Sequence, residues 1–525
     1  MPVVDFFQNL VGLLSFSNLT YLVLLALAAI VYYCLPGPRT RGTWLLLLGL
    51  LVFMLFTPAA LWVIVLVTLL GWGFGLLLDR MGAADTDTQR ERGSTSRRRA
   101  VFIVAILAVL ASLLVLKYAN FGIDLVTRVA HLFGAGAKNS PTLKLLAPVG
   151  ISFWTFQSIA YLTDVYWGKT QAVKNLFWYS LSVLFFPILT MGPITRVQDL
   201  VAQLSVKHRF HYERMQSGLL LLGWGFFKKL MVADALAVFV NTVFDNPRNY
   251  SGMQNGLVFA VAAVFFAIQL YCDFSGYTDI VRGSARLFDI DLPLNFRAPY
   301  FSRSVGEFWR RWHITLMDWL HDYVWLTVLY SRPVKRLKLR TRKYLSVMVT
   351  FLVSGIWHGA GLTYVLWGVL NGGYQVAGEV LKPVGDRIVR LLRIDRETFA
   401  HKLFQTLFTF GLITLAWVLF RANSLTDAAY IVPRMFMPTI WIFTDGTMTA
   451  QGLDYIHLMV VLLAIVVVFV FEWFKHERAF DAYVWLCRQH LLFRWAVYYG
   501  LIFTIVIFGH YGGEYSAADF VYFKF

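Results

Sequence analysis

The stretch Ser354-Gly355-Ile356-Trp357-His358-Gly359-Ala360-Gly361 sets a histidine inside an apolar run. Mostly hydrophobic residues flank it, from Leu345 to Val353 and from Leu362 to Leu370. An ionisable side chain at membrane depth is costly, so one that is kept there usually faces a cavity and has a task. The surrounding glycines permit close backbone approach or a break in a helix. Upstream, Phe308-Trp309-Arg310-Arg311-Trp312-His313 frames a second histidine with aromatic rings. Two such histidines in one membrane chain suggest proton-transfer chemistry as well as a span.

The flanks of the first histidine are basic. Arg332, Lys335, Arg336, Lys338, Arg340, Arg342 and Lys343 precede it in the acid-free segment 331–343, and Lys382, Arg387, Arg390, Arg393 and Arg396 follow in 382–402. Cytoplasmic loops carry the excess of Lys and Arg, so both flanks are assigned to the cytoplasm. Segment 345–380 must then enter the membrane and return. As one helix it would measure about 54 Å, against a hydrocarbon core of roughly 30 Å. A break at the glycines resolves this and puts His358 about 20 Å deep, at the end of a cavity reached from the cytoplasm.

Composition agrees with the membrane reading. The chain has 525 residues, is 58% hydrophobic and only 15% charged, and has a mean hydropathy of +0.61. That excludes a soluble domain. The net charge of +17 lies mostly in short connecting segments, and reads as cytoplasmic loop charge and anionic headgroup contact before nucleic-acid binding. Cys34, Cys272 and Cys487 are far apart, with no metal-ligand or disulfide spacing. Met1 to Leu13 lacks the basic start of a cleavable signal peptide, so the first span is expected to be retained as an anchor.

Apolar runs recur near 18–35, 43–57, 58–78, 100–118, 146–167, 174–192, 216–242, 256–272, 345–380, 404–421, 454–474 and 493–510. Their length favours helices over barrel strands. The expected fold is therefore all-α and polytopic, a single domain over 1–525 with about eleven membrane-spanning or re-entrant helices around a central cavity. Arg39 and Arg41 place the first loop in the cytoplasm. Arg90, Arg92, Arg97, Arg98 and Arg99 do the same for 79–99, read as a solvated loop with the N-terminus outside. Between 119 and 214 the charge rule gives mixed answers, so re-entrant or interfacial pieces are expected there.

Trp309, His313, Met317 and Leu320 fall at helical spacing, which predicts an interfacial helix over 306–326. Its basic side holds Arg310 and Arg311. With Lys335 and Arg336 of the polybasic segment, these cations could hold the phosphates of a coenzyme A donor. Other polar residues have plainer readings. Lys228 and Lys229 could snorkel to headgroups or bind donor phosphate. Asp273 and Asp279 could line a polar path or hold a cation, and pairing with Arg282 or another basic group is the favoured reading. Ser275 has no acid–base partner nearby in sequence, and His321 reads as an interfacial residue. His358 and His313 could simply bond or pack against a neighbouring helix.

Several ordered motifs point further. They are Pro148-Val149-Gly150-Ile151-Ser152-Phe153, Tyr161-Leu162-Thr163-Asp164-Val165-Tyr166, Phe185-Phe186-Pro187 with Gly192-Pro193-Ile194, and Gly225-Phe226-Phe227-Lys228-Lys229. Tyr271-Cys272-Asp273-Phe274-Ser275-Gly276, Asn295-Phe296-Arg297-Ala298-Pro299-Tyr300, Trp417-Val418-Leu419-Phe420-Arg421 and the terminal Phe520-Val521-Tyr522-Phe523 complete the set around the two histidine motifs. In this order they resemble the membrane-bound O-acyltransferases, in the bacterial branch that acetylates exported polysaccharides such as alginate.

The resemblance implies His358 as the essential catalytic residue and His313 as its companion. It also implies acyl transfer from a cytoplasmic thioester, with acetyl-CoA as donor substrate and no permanently bound cofactor. The acceptor would be a polysaccharide hydroxyl, reached directly or through an extracytoplasmic acetyltransferase or export partner at the bacterial inner membrane. The chain departs from that branch after His313. It reads Tyr323-Val324-Trp325-Leu326-Thr327-Val328-Leu329-Tyr330 where an aromatic–Ile-Pro-Leu-Gly-Gly turn is common, and His321 stands where an arginine is usual. D-alanyl transfer to teichoic acids therefore stays open, as do a lipid acyltransferase and a transporter. A transporter would show paired inverted repeats, and none is visible.

Overall fold

A computed structural model describes residues 19–85, 93–133, 143, 147–248, 256–478 and 480–510. Among these residues there is no β-strand. Seven helices are long and apolar enough to cross a membrane: Pro38–Phe56, Pro58–Gly82, Ser96–His131, Gly256–Arg286, Phe399–Arg421, Tyr455–Glu477 and Leu491–Phe508. The protein is an all-α polytopic membrane protein. The terminal Phe520-Val521-Tyr522-Phe523 motif, Arg90, Arg92 and the Met1–Leu13 segment lie outside the described residues. The chain divides into two compact units, Met1–Gly218 with Ser284–Pro293, and Leu219–Gly283 with Leu294–Phe525.

The first unit runs through α1 (Leu19–Cys34), α2 (Pro38–Phe56), α3 (Leu61–Asp85), α4 (Gly93–Leu113), α5 (Ala119–Leu132), α6 (Ile151–Tyr166), α7 (Leu176–Val183), α8 (Phe186–Leu189) and α9 (Val197–Leu204). Helix α2 opens on Pro38, where the missing N–H would have had no helical partner anyway. Arg41, read above as an orientation signal, is buried. Its guanidinium donates to the carbonyls of Leu35 at 2.8 Å, His208 at 2.5 Å and Tyr33 at 3.3 Å. The described parts of 79–99 are helix ends of α3 and α4 rather than loop. Arg98 donates to the carbonyl of Leu78 and lies over the Tyr166 ring. The apolar run near 174–192 breaks into α7 and α8, with Pro187 in the first turn of α8.

The chain passes into the second unit within α10 (Tyr212–Phe226) and runs through a wide-turn π segment (Phe227–Ala233) and α11 (Asp234–Asp245) to the long α12 (Gly256–Arg286), whose last residues from Ser284 belong to the first unit. After it come α13 (Val305–Arg311), α14 (Ile314–Leu320), α15 (Leu326–Tyr330), α16 (Arg332–Lys335), α17 (Leu339–His358), α18 (Leu362–Leu391), α19 (Phe399–Arg421), α20 (Leu425–Arg434), α21 (Tyr455–Glu477), α22 (Ala482–Cys487) and α23 (Leu491–Phe508). Within their spanning windows α12 is 78% buried and α23 not at all. Helix α12 is thus the central helix of this unit. On α23, Leu491, Leu492, Ile502 and Ile507 are exposed, where lipid tails would solvate them without penalty.

The expected break falls at the glycines. Helix α17 ends on His358, Gly359-Ala360-Gly361 turns the chain, and α18 returns from Leu362. The two helices touch through backbone. A Cβ on Gly355 would lie 2.3 Å from the Tyr364 carbonyl oxygen, and one on Gly368 would lie 2.3 Å from that of Phe351. Gly355→Ala and Gly368→Ala are each expected to lower stability by about 1–3 kcal/mol through overpacking. Gly411→Ala in α19, where a Cβ meets nothing within 4 Å, should be neutral or mildly stabilising. Thermal melting of the three variants in one detergent checks this, and equal melting for all three would refute the close approach.

One expectation is corrected. The segment 306–326 is not one interfacial helix. It breaks between α13 and α14, where His313 adopts the left-handed conformation with φ 45° and ψ 53°. His313 therefore shares no continuous helical face with Trp309 and Met317, and it is 1% exposed.

Candidate active site

His358 is buried at the C-terminal end of α17 in a box of aromatic rings. Ring centroids lie 4.8 Å away for Trp357, 5.1 Å for Trp367 and 5.2 Å for Phe420. The box has a second layer. Trp309 lies edge-on to Trp367 at 5.5 Å, and Trp417 stacks on Trp367 at 5.8 Å. Asn371 ties these rings down, accepting from Trp309 Nε1 at 3.2 Å and donating to the Trp367 carbonyl at 2.9 Å. Apolar walls of this kind strengthen any hydrogen bond made inside them.

His313 also lies near Trp357. Its ring centroid is 6.3 Å from that of Trp357 and 4.7 Å from Phe274, to which it is nearly perpendicular. The fold thus brings the two sequence-predicted histidines against one indole, from chain positions 45 residues apart in number but on different helices, α17 and the α13–α14 break. His313 lies outside the seven spans, and its burial holds the imidazole well below its ordinary value, so it is neutral at physiological pH. A non-glycine residue in the left-handed region costs roughly 1–2 kcal/mol, and such strain gathers at functional sites.

Asn295 holds that strained residue. Its backbone carbonyl accepts from Ile314 N–H at 2.9 Å. Its side-chain Oδ1 accepts from Thr315 N–H at 3.2 Å and Thr315 Oγ1 at 2.9 Å, and lies 3.1 Å from His313 Nδ1. The first two N–H groups of α14, which have no partner within their own helix, are met this way. Sequence reading quoted Asn295 only as part of a motif and gave it no task. Asn371 gave no signal at all, because a lone asparagine in an apolar helix does not announce which indole it will reach.

The predicted cations divide. Arg310 is exposed at the end of α13, and Arg311 next to it is paired with Glu307. Arg303 and Glu477 lie within electrostatic reach of Arg311, a neighbourhood the sequence did not reveal. Lys335 and Arg336 are exposed on and just after α16. Lys228 and Lys229, by contrast, are buried and ion-paired. Lys228 donates to Asp279 at 2.6 Å and to Ser275 at 3.0 Å. Lys229 bridges Asp234 and Asp273, each at 2.7 Å. Asp279 also meets Arg282 at 3.6 Å, so the favoured ion-pair reading of both aspartates is met. Among the described residues no group of three or more His, Cys, Asp or Glu side chains gathers to hold a metal.

A small polar cavity opens beside these pairs, lined among others by Lys228, Ser275, Asp279, Glu472 and Lys475. Phe296 on its wall lies 5.0 Å from Phe274, which in turn touches His313. His321 is exposed, beside Asp322 at 3.2 Å and stacked on Trp325. What the arrangement offers chemically is two imidazoles near one indole, one of them neutral and tightly held, among aromatic side chains.

Comparison with known proteins gives the family. Residues 171–424 match the family described as MBOAT, membrane-bound O-acyltransferase family. The chain is similar to a probable alginate O-acetylase of Azotobacter vinelandii, 33% identical over 456 residues that cover 87% of this chain and 84% of the relative. It is also similar to a peptidoglycan O-acetyltransferase of Helicobacter pylori, 34% identical over 321 residues, 56% of this chain and 58% of the relative. A teichoic acid D-alanyltransferase of Bacillus subtilis is 26% identical over 238 residues, 44% of this chain and 58% of the relative.

Proposed function

The chain belongs to the membrane-bound O-acyltransferase family, and from that premise we propose that it moves an acetyl group from a cytoplasmic thioester to hydroxyls of an exported polysaccharide. It is an acyltransferase, and acetyl-CoA is the donor in this reading. Transfer runs directly to the polymer or through an extracytoplasmic partner transferase, at the bacterial cytoplasmic membrane. The observation that carries the reading is the pair of buried histidines on Trp357 in a chain whose relatives are O-acetyltransferases.

The chemistry follows from the imidazoles. His358 takes the hydroxyl proton as the acceptor oxygen bonds to the acyl carbon, and the C–S bond breaks. The thiolate leaves with the electron pair and collects the proton. Such general-base help is worth about 10²–10⁴-fold. A two-step route through an acyl-histidine uses the same groups, with the His358 nitrogen bonding first to the acyl carbon. Arg310, Lys335 and Arg336, exposed and basic, would meet donor phosphates, with Arg311 joining from its Glu307 pair.

Acetyl transfer from labelled acetyl-CoA by purified protein tests the reading, with polysaccharide acceptor and any co-encoded secreted partner present. The expected result is an alkali-labile acetyl ester on the polymer. Label on the protein when acceptor is withheld would select the two-step route. The lower-identity likeness to a D-alanyltransferase supports a parallel arm with a D-alanyl thioester. Transfer in that arm alone would replace the acetyl reading, and no thioester cleavage with any donor would overturn both.

A further inference from the structure

We infer that Asn295 is a positioning residue that fixes His313 as its Nδ1–H tautomer, leaving Nε2 as the nitrogen that accepts a hydrogen bond or proton in the active site. The inference rests on the reading of His313 as an active-site residue, and it goes beyond that reading by naming the accepting atom and the group that selects it.

The Asn295 side-chain atom nearest His313 also lies 3.2 Å from the backbone nitrogen of Thr315. A backbone N–H can only donate, so that atom is the carbonyl oxygen and not the amide nitrogen. Rotating the amide by half a turn would set two donors against each other. With the oxygen assigned, the 3.1 Å contact to His313 Nδ1 has one chemical meaning. Two lone pairs facing each other at that distance repel, so Nδ1 carries a hydrogen and donates it. A neutral imidazole has one ring hydrogen. Burial disfavours the doubly protonated form, so Nε2 keeps its lone pair.

The surroundings make the choice hard to escape. Asn295 is fully buried, and its main chain is held as well as its side chain. Ile314 donates to the Asn295 carbonyl at 2.9 Å, and Arg297 donates to the Arg311 carbonyl at 3.0 Å. The strand of chain at 295–297 is thus laced to 311–315 on both sides of His313. The left-handed backbone of His313 turns the imidazole onto Asn295 and Phe274 at once, and Phe274 stands perpendicular to it at 4.7 Å. Neither a rotation of the ring nor a slide of the asparagine is free. The outer partner of a functional histidine is the group that decides which nitrogen works.

The test reads the tautomer directly. Protein labelled with ¹⁵N-histidine in detergent or nanodiscs is compared with His313→Gln to assign the His313 ring signals. The expected spectrum shows a protonated Nδ1 and an unprotonated Nε2. Asn295→Leu removes the acceptor and should mix the tautomers and lower kcat by about 10²-fold or more, as wrong-tautomer variants do, with little change in KM. Asn295→Asp keeps an acceptor, so the tautomer should persist. Its charge favours the imidazolium, which should move the acid limb of the kcat profile to higher pH.

An Nε2–H signal in folded wild type would overturn the proposal, and so would an Asn295→Leu protein with unchanged tautomer and kcat. Loss of activity in both Asn295 variants with an unmoved pH profile would assign Asn295 a merely structural role. Full activity of His313→Gln beside an Nδ1–H wild type would instead sink the catalytic reading of His313 and leave the tautomer standing. Because the wild-type spectrum and Asn295→Asp do not depend on Asn295→Leu folding, the outcome is readable in every case.

Discussion

His358→Ala is expected to lower acetyl transfer by about 10²–10⁴-fold while the protein elutes as a single folded species. The imidazole is the polar group at the bend of the α17–α18 hairpin, enclosed by Trp357, Trp367 and Phe420. Truncation there removes a side chain from an aromatic box whose other members are held by Asn371 and by stacking, so the box should survive the loss. The effect then falls on turnover and not on expression. His358→Gln serves as the second variant, because it fills more of the space and still cannot serve as the base. Full activity in either variant, measured with labelled donor, would remove His358 from the mechanism.

Lys229→Met should have the largest effect on stability. The buried ammonium lies between two carboxylates, the buried Asp273 and the mostly buried Asp234, each 2.7 Å away. Removing it leaves the two carboxyl groups facing each other with no cation between them, and breaking a buried pair in this way costs about 3–5 kcal/mol. Most of the protein is expected to aggregate on extraction, or to melt far below wild type. Adding Asp234→Asn and Asp273→Asn to Lys229→Met should restore much of the loss, because an uncharged, space-filling cluster is often as stable as the ionic one. Comparing the single and triple variants by size exclusion and thermal melting decides the matter. A single variant that melts like wild type would sink the argument.

Much of this architecture could be read from the chain because its causes are local. The hairpin at His358 followed from glycines inside an apolar run between basic flanks, and α17 and α18 break there. What escaped the reading depends on partners far along the chain. Lys229 has one partner five positions on, Asp234, but it is separated from Asp273 by 44 positions and Lys228 from Asp279 by 51, so the neighbouring residues do not reveal that both lysines are buried. The adjacent lysines can both turn inward because a π segment widens the helix at Phe227–Ala233, and no residue type marks such a turn. The helix expected over 306–326 had the right period, yet Asn295, 18 positions upstream of His313, supplies the carbonyl and amide oxygen that stop and restart it. Pro187, quoted in the sequence only within a motif, marks the point where the apolar run 174–192 divides into two short helices.

Helix α17 begins after Lys338 and ends on His358 without an internal break. Each residue in an α-helix turns the next by about 100° and lifts it about 1.5 Å. A single insertion or deletion between these ends would therefore swing the histidine from the aromatic box toward another face, even if every other residue were kept. The outward-facing residues of α17 are free to change among apolar types, but its length is not. In a lineage of such proteins, this helix should drift in composition and stay fixed in residue count, while surface loops vary in both.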